Sequence, residues 1–172
     1  MTTKKMTTMA LLLSVSLIIF TIESQLPPPV ALPGIKWGLA NVVTLIAIYL
    51  VGKKEACAIL LMRIFMTAVI TGSGLSLIYS LSGGILSFLV MSIFSKFLSL
   101  DKIWATSAFG ALAHNIGQLT AACMVMELAQ LAYYLPIMMI SGALCGLITG
   151  LAAKFTLKAL AKAKFGGRNL EM

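Results

Sequence analysis

Six apolar runs separated by short polar turns fill almost the whole chain, and they leave room for few architectures. They cover residues 6–22, 37–51, 56–71, 75–97, 103–126 and 135–157. A helix needs about 20 predominantly apolar residues to cross the hydrocarbon core of a bilayer. Of the 172 residues, 60% are hydrophobic and only 10% are charged, whereas soluble domains carry about 25% charged residues. Lipid must therefore solvate most of the side chains. The expected fold class is an all-α integral membrane protein, a six-transmembrane-helix bundle in a single membrane domain spanning 1–172. Residues 158–172 form a basic tail.

The net charge of +8 does not point to nucleic acid, because the basic residues sit at the ends of the apolar runs, where they set topology. With six helices, Lys4, Lys5, Lys53, Lys54, Lys96, Lys102, Lys154, Lys158, Lys162, Lys164 and Arg168 share one side of the membrane. Lys36 is alone on the other. Eleven against one is a strong positive-inside bias, which predicts a multi-pass protein with both termini cytoplasmic. Lys4 and Lys5 before an apolar run imitate a secretory signal. The run ends in I-E-S-Q-L-P-P without a small-residue cleavage site, so a retained first helix is expected.

The one long interruption is the segment 23–41, E-S-Q-L-P-P-P-V-A-L-P-G-I-K-W-G-L-A-N, which carries four of the five prolines. Proline lacks an N–H and fixes φ, so most of this segment reads as extended rather than helical. The orientation above puts it on the external side. A stiff loop is not needed merely to reverse the chain, and it is expected to cover or line a binding site. Lys36 and Trp37 form a cation–aromatic pair suited to the membrane boundary.

Few polar side chains lie inside the runs. Arg63 is about eight residues beyond the cytoplasmic turn, roughly 12 Å deep at 1.5 Å per residue. A charge there costs about 2.5–3.5 kcal/mol on insertion scales unless it is paired or wetted. It reads either as half of an ion pair with Glu23 or Glu127, or as a cation facing a polar pocket. His114 and Gln118 are four residues apart and share a helix face, with Asn115 beside them. They serve either as interhelical glue or as ligand-facing groups, and Asn41 could join them. The five acids are scattered, with no carboxylate cluster for a metal on a diphosphate, no phosphate-binding loop and no nucleophile elbow. That argues against an independent catalyst, and no metal or other cofactor is implied. Cys57, Cys123 and Cys145 lack metal or redox spacing and read as packing residues. Ala10 and Ser14 form a small-x-x-x-small pair, and Gly142, Gly146 and Gly150 recur every four residues on one face of the sixth run, both patterns that let helices approach closely.

These residues together resemble a known family. The order is E-S-x-L-P-P over 23–28, P-G-I-K-x-G-L-A-N over 33–41, an arginine at 63, and A-H-N-x-G-Q-L over 113–119. The chain resembles the small bacterial membrane proteins labelled heptaprenyl diphosphate synthase component I or Gx transporter. That group is in turn similar to the substrate-binding S components of energy-coupling factor (ECF) transporters. The resemblance implies a bacterial plasma-membrane location, six helices, an external first loop closing over substrate, and cytoplasmic termini. It also implies that Ala10, with Ser14 in place of a second alanine, meets a shared transmembrane T component.

The expected function follows from both lines. The protein is read as the substrate-binding subunit of an ECF-type transporter, taking a small anionic or polar molecule, flavin-like or isoprenoid-phosphate-like, from the external side. Glu23, Lys36, Trp37, Asn41, Arg63, His114, Asn115 and Gln118 are the expected binding residues. Expected partners are the T component, ATPase subunits and membrane lipid. The alternative is a non-catalytic membrane subunit assisting polyprenyl diphosphate synthesis.

Overall fold

The computed structural model describes residues 3–28 and 35–163, and these are helical with short connections. The helices are α1 (Thr3–Glu23), α2 (Asn41–Leu50), α3 (Lys53–Thr71), α4 (Gly74–Phe97), α5 (Ile103–Met126) and α6 (Leu135–Lys162). Short 3-10 segments, Leu100–Lys102 and Ala129–Tyr134, precede α5 and α6. Pro29, Pro33 and Gly34 of the proline-rich loop, and Lys164 and Arg168 of the tail, lie outside the described residues.

Among the described residues, three segments are long and apolar enough to cross a membrane: Thr3–Glu23, Gly74–Phe97 and Ala129–Lys162. The other two long helices carry the polar load. Lys53, Lys54, Glu55 and Arg63 are on α3, and His114, Asn115 and Gln118 are on α5. The bundle is inverted relative to a soluble protein. Phe65, Val69 and Ile70 on α3, and Ile140, Ile148 and Phe155 on α6, are exposed, while Glu23, Arg63, His114, Asn115 and Gln118 are buried. Such a surface suits a lipid environment and leaves the interior for groups that need partners.

The second helix departs from the expected 37–51. Ile35 to Ala40 are non-helical, and α2 begins only at Asn41, because Gly38 sits at φ +81° and turns the chain before the first helical bonds form. The resulting ten-residue helix is about 15 Å long, half of a bilayer core. It is the central element, touching α1, α3, α4, α5 and α6, and Asn41 through Ile48 are all buried. The sixth helix runs past the expected end at 157 to Lys162, taking in the start of the basic tail.

The glycine row on α6 lies against α5. A Cβ on Gly146 would stand 2.7 Å from Ala108 Cα, and one on Gly150 would stand 2.6 Å from Trp104 Cα. These helices therefore meet backbone to backbone, the geometry that small-residue faces permit. At the same end of the bundle, Lys154 and Lys158 both bridge to Asp101, at 3.1 and 3.3 Å. Lys5 pairs with Glu55 across α1 and α3.

Candidate binding site

Glu23 closes α1 and is buried. Its Oε1 accepts the Gly38 N–H at 2.6 Å and its Oε2 accepts the Ala40 N–H at 3.3 Å. With both oxygens accepting N–H groups, the side chain has the bonding pattern of an ionised carboxylate. It clamps the returning loop onto the end of the first helix. Gly38 is required there twice over: by its positive φ, and because a Cβ would lie 2.9 Å from His114 Cδ2.

Facing this clamp is a fan of donors. Arg63 is buried on α3, and its Nη2 donates to Asn41 Oδ1 at 3.3 Å. The Nδ2 of Asn41 is buried without a partner. Lys36 Nζ donates to Ser76 Oγ at 2.7 Å and lies 3.8 Å from the Phe20 ring centroid, a cation–π contact. Among the described residues, neither cation comes within ion-pairing distance of Glu23, although all three charges feel one another. Burial lowers the Lys36 ammonium to about 8, with Glu23 opposing the shift and Arg63 adding to it.

Gln118 and His114 settle their own protonation. The Lys36 backbone N–H donates to Gln118 Oε1 at 3.2 Å, which turns the amide nitrogen toward His114 Nε2, 2.8 Å away. The imidazole Nε2 must then accept, so the network assigns a neutral ring with its proton on Nδ1.

Glu23, Lys36, Asn41, Arg63, His114 and Gln118 thus line one internal cavity, six of the eight residues expected from the sequence. The cavity is small, about 20 Å³, which is room for roughly one water molecule. Trp37 and Asn115 are not part of it. Asn115 donates to the Met138 carbonyl and joins α5 to α6. Trp37 donates through Nε1 to the Pro27 carbonyl at 2.8 Å and faces an apolar groove of about 490 Å³ against Ile140 and Leu144 of α6. The segment 36–40 alternates: Lys36, Gly38 and Ala40 face the polar cavity, while Trp37 and Leu39 face the groove. Sequence reasoning missed Phe20, Thr67, Ser76 and Ser80. Ser76 and Ser80 lie one helical turn apart, a spacing that marks them as one face of α4.

Ala10 and Ser14 sit on an exposed stretch of α1, with Ser14 Oγ donating to the Ala10 carbonyl at 3.0 Å. Ala10 borders a shallow apolar groove of about 210 Å³ between α1 and α3.

The family model described as heptaprenyl diphosphate synthase component I matches residues 12–156. No curated protein and no solved structure matches the chain.

Proposed function

The chain belongs to the heptaprenyl diphosphate synthase component I family, and from that premise we propose that it is a six-span membrane protein binding a small anionic or polar molecule, as the substrate-binding subunit of an ECF-type transporter. One observation carries this reading. Arg63 and Lys36 line a single buried cavity whose lone carboxylate is engaged by backbone N–H groups. A buried cation and a half-buried one without a matching pair of anions make a poor structural device, since an uncompensated buried charge costs several kcal/mol. They make a sound receptor for a group that arrives with its own negative charge.

The segment 36–40 roofs the cavity, and on the positive-inside argument it lies on the external face with both termini in the cytoplasm. The cavity has room for only about one water, so a larger substrate needs this segment to move aside. The chain has no nucleotide-binding motif, so energy comes from ATPase subunits and a T component docking on the exposed small residues of α1. The decisive experiment is recovery of the tagged protein from native membranes in mild detergent, with mass spectrometry of proteins and small molecules. A T component with two ATPases, or a stoichiometric anionic ligand, is the expected result.

A second reading rests on the family's own description, which makes it a component of a prenyl synthase. The protein would then be a non-catalytic subunit holding a soluble synthase at the bilayer, with the basic end bearing Lys53, Lys54, Lys96 and Lys102 as its working surface. Recovery of a soluble prenyl synthase without ATPases or ligand would favour this reading and overturn the first.

A further inference from the structure

The charge count of the cavity selects among anions. Three ionised groups border it: Arg63 and Lys36, both positive, and Glu23, negative in its bonding pattern. His114 is held neutral by the Gln118 amide. The site's own groups therefore sum to a net charge of +1, from two cations and one carboxylate. In a low-dielectric interior the stable bound state is the electroneutral one, because each residual charge is poorly solvated. The free donors are arranged to match. Among the described residues Arg63 has one acceptor, Asn41 Oδ1, leaving most of its planar fork available, and the Nδ2 of Asn41 is unpartnered. Guanidinium and amide N–H groups set side by side fit a planar two-oxygen acceptor.

Resting on the reading that this cavity binds an anion, we infer that its ligand carries a single negative charge at the buried end, and that this charge is a carboxylate. A neutral head leaves the site at +1, and a dianion or diphosphate overshoots to −1 or beyond. The carboxylate seats against Arg63 and Asn41, completing a set of two cations and two anions, and the rest of the molecule points toward the 36–40 roof.

The test uses the full chain in detergent at pH 7 and constant ionic strength, with four probes: acetate, malonate, acetamide and pyrophosphate. Binding is read as the rise in unfolding temperature with probe concentration. In the wild type, acetate should outperform malonate, acetamide and pyrophosphate by about tenfold or more in apparent affinity. Glu23→Gln raises the site to +2 and should reverse the order, malonate overtaking acetate. Lys36→Met leaves the Glu23 clamp in place, brings the site to zero and should let acetamide overtake acetate, so the inference is still tested if Glu23→Gln fails to fold. If malonate or pyrophosphate binds the wild type best and neither variant changes the order, the monoanion inference falls while anion binding stands. If no probe binds in a manner abolished by Arg63→Gln, the binding reading falls with it.

Discussion

At the scale of single residues, the site depends on a few side chains whose roles separate cleanly by substitution. If the proposed binding holds, Arg63→Ala should abolish it while the protein stays folded in detergent, since among the described residues the guanidinium makes one hydrogen bond and otherwise lines the cavity. A large drop in unfolding temperature without loss of a measurable ligand would instead make Arg63 structural. Gly38→Ala should destabilise the roof by about 1–2 kcal/mol from the left-handed φ alone, with the His114 contact added. Limited proteolysis near the loop would register it. Lys36 gives a pH signature. A bound anion favours its charged form, so affinity should be full below pH 8 and fall as pH rises through about 8. Folding stability moves oppositely. A lysine whose folded value is depressed penalises folding while charged, and that penalty fades between about 8 and the ordinary 10.5. Titrating affinity and unfolding temperature over one pH series checks both signs. Asn41, Arg63, His114 and Gln118 were legible in the sequence because a polar group inside an apolar run is costly enough to need a reason, and Glu23 was legible as a partner for Arg63. Thr67 was not, since its hydroxyl bonds the Ile64 carbonyl and can sit in any membrane helix without comment.

Among the elements, α2 and the α5–α6 pair decide the architecture. The glycine row was readable as a close-packing face, and α5 is the helix it meets. Gly150→Leu should therefore cost about 2–3 kcal/mol in unfolding experiments, while Leu151→Ala, on the outward face, should change little. The beginning of α2 was not readable. Trp37, Leu39 and Ala40 are apolar and continue the following run, so hydropathy alone extends the helix to 37. Gly38's positive φ and the turn at Leu39–Ala40 hold these residues out of the helix, and over 36–40 they alternate between the cavity and the groove. That alternation is why Trp37 turns away from Lys36 and faces α6 instead of the cavity. The Asp101 bridge to α6 is a lesser matter. Lys154 and Lys158 hold its carboxyl below the usual carboxylate range, so its contribution is present above that range and disappears as pH falls through the lowered value. The group is fully exposed, and Asp101→Asn should leave the unfolding temperature nearly unchanged.

For the molecule as a whole, the distribution of charge makes a definite prediction of orientation. In a background lacking Cys57, Cys123 and Cys145, Ser99→Cys should resist a membrane-impermeant maleimide in intact cells, and Tyr133→Cys should react. The reverse pattern would invert the proposed topology and place the cavity's roof in the cytoplasm. The inverted hydropathy of the bundle, apolar outside and polar within, was evident from composition. The pairing of specific polar residues around one void was not, because it depends on how α1, α3, α4 and α5 converge on the short central helix.

That short helix has an electrical consequence. A ten-residue α2 leaves its first residue, Asn41, about 15 Å from the helix's far end, so a charge held beside it sits part-way through the insulating slab. Moving one elementary charge across the full membrane potential changes its energy by about 2.3 kcal/mol per 100 mV. A monoanion that descends half of that drop from outside would be opposed by an interior-negative potential by about 1 kcal/mol per 100 mV. Occupancy in an energised cell should then be several-fold lower than in detergent, and collapsing the potential should raise it.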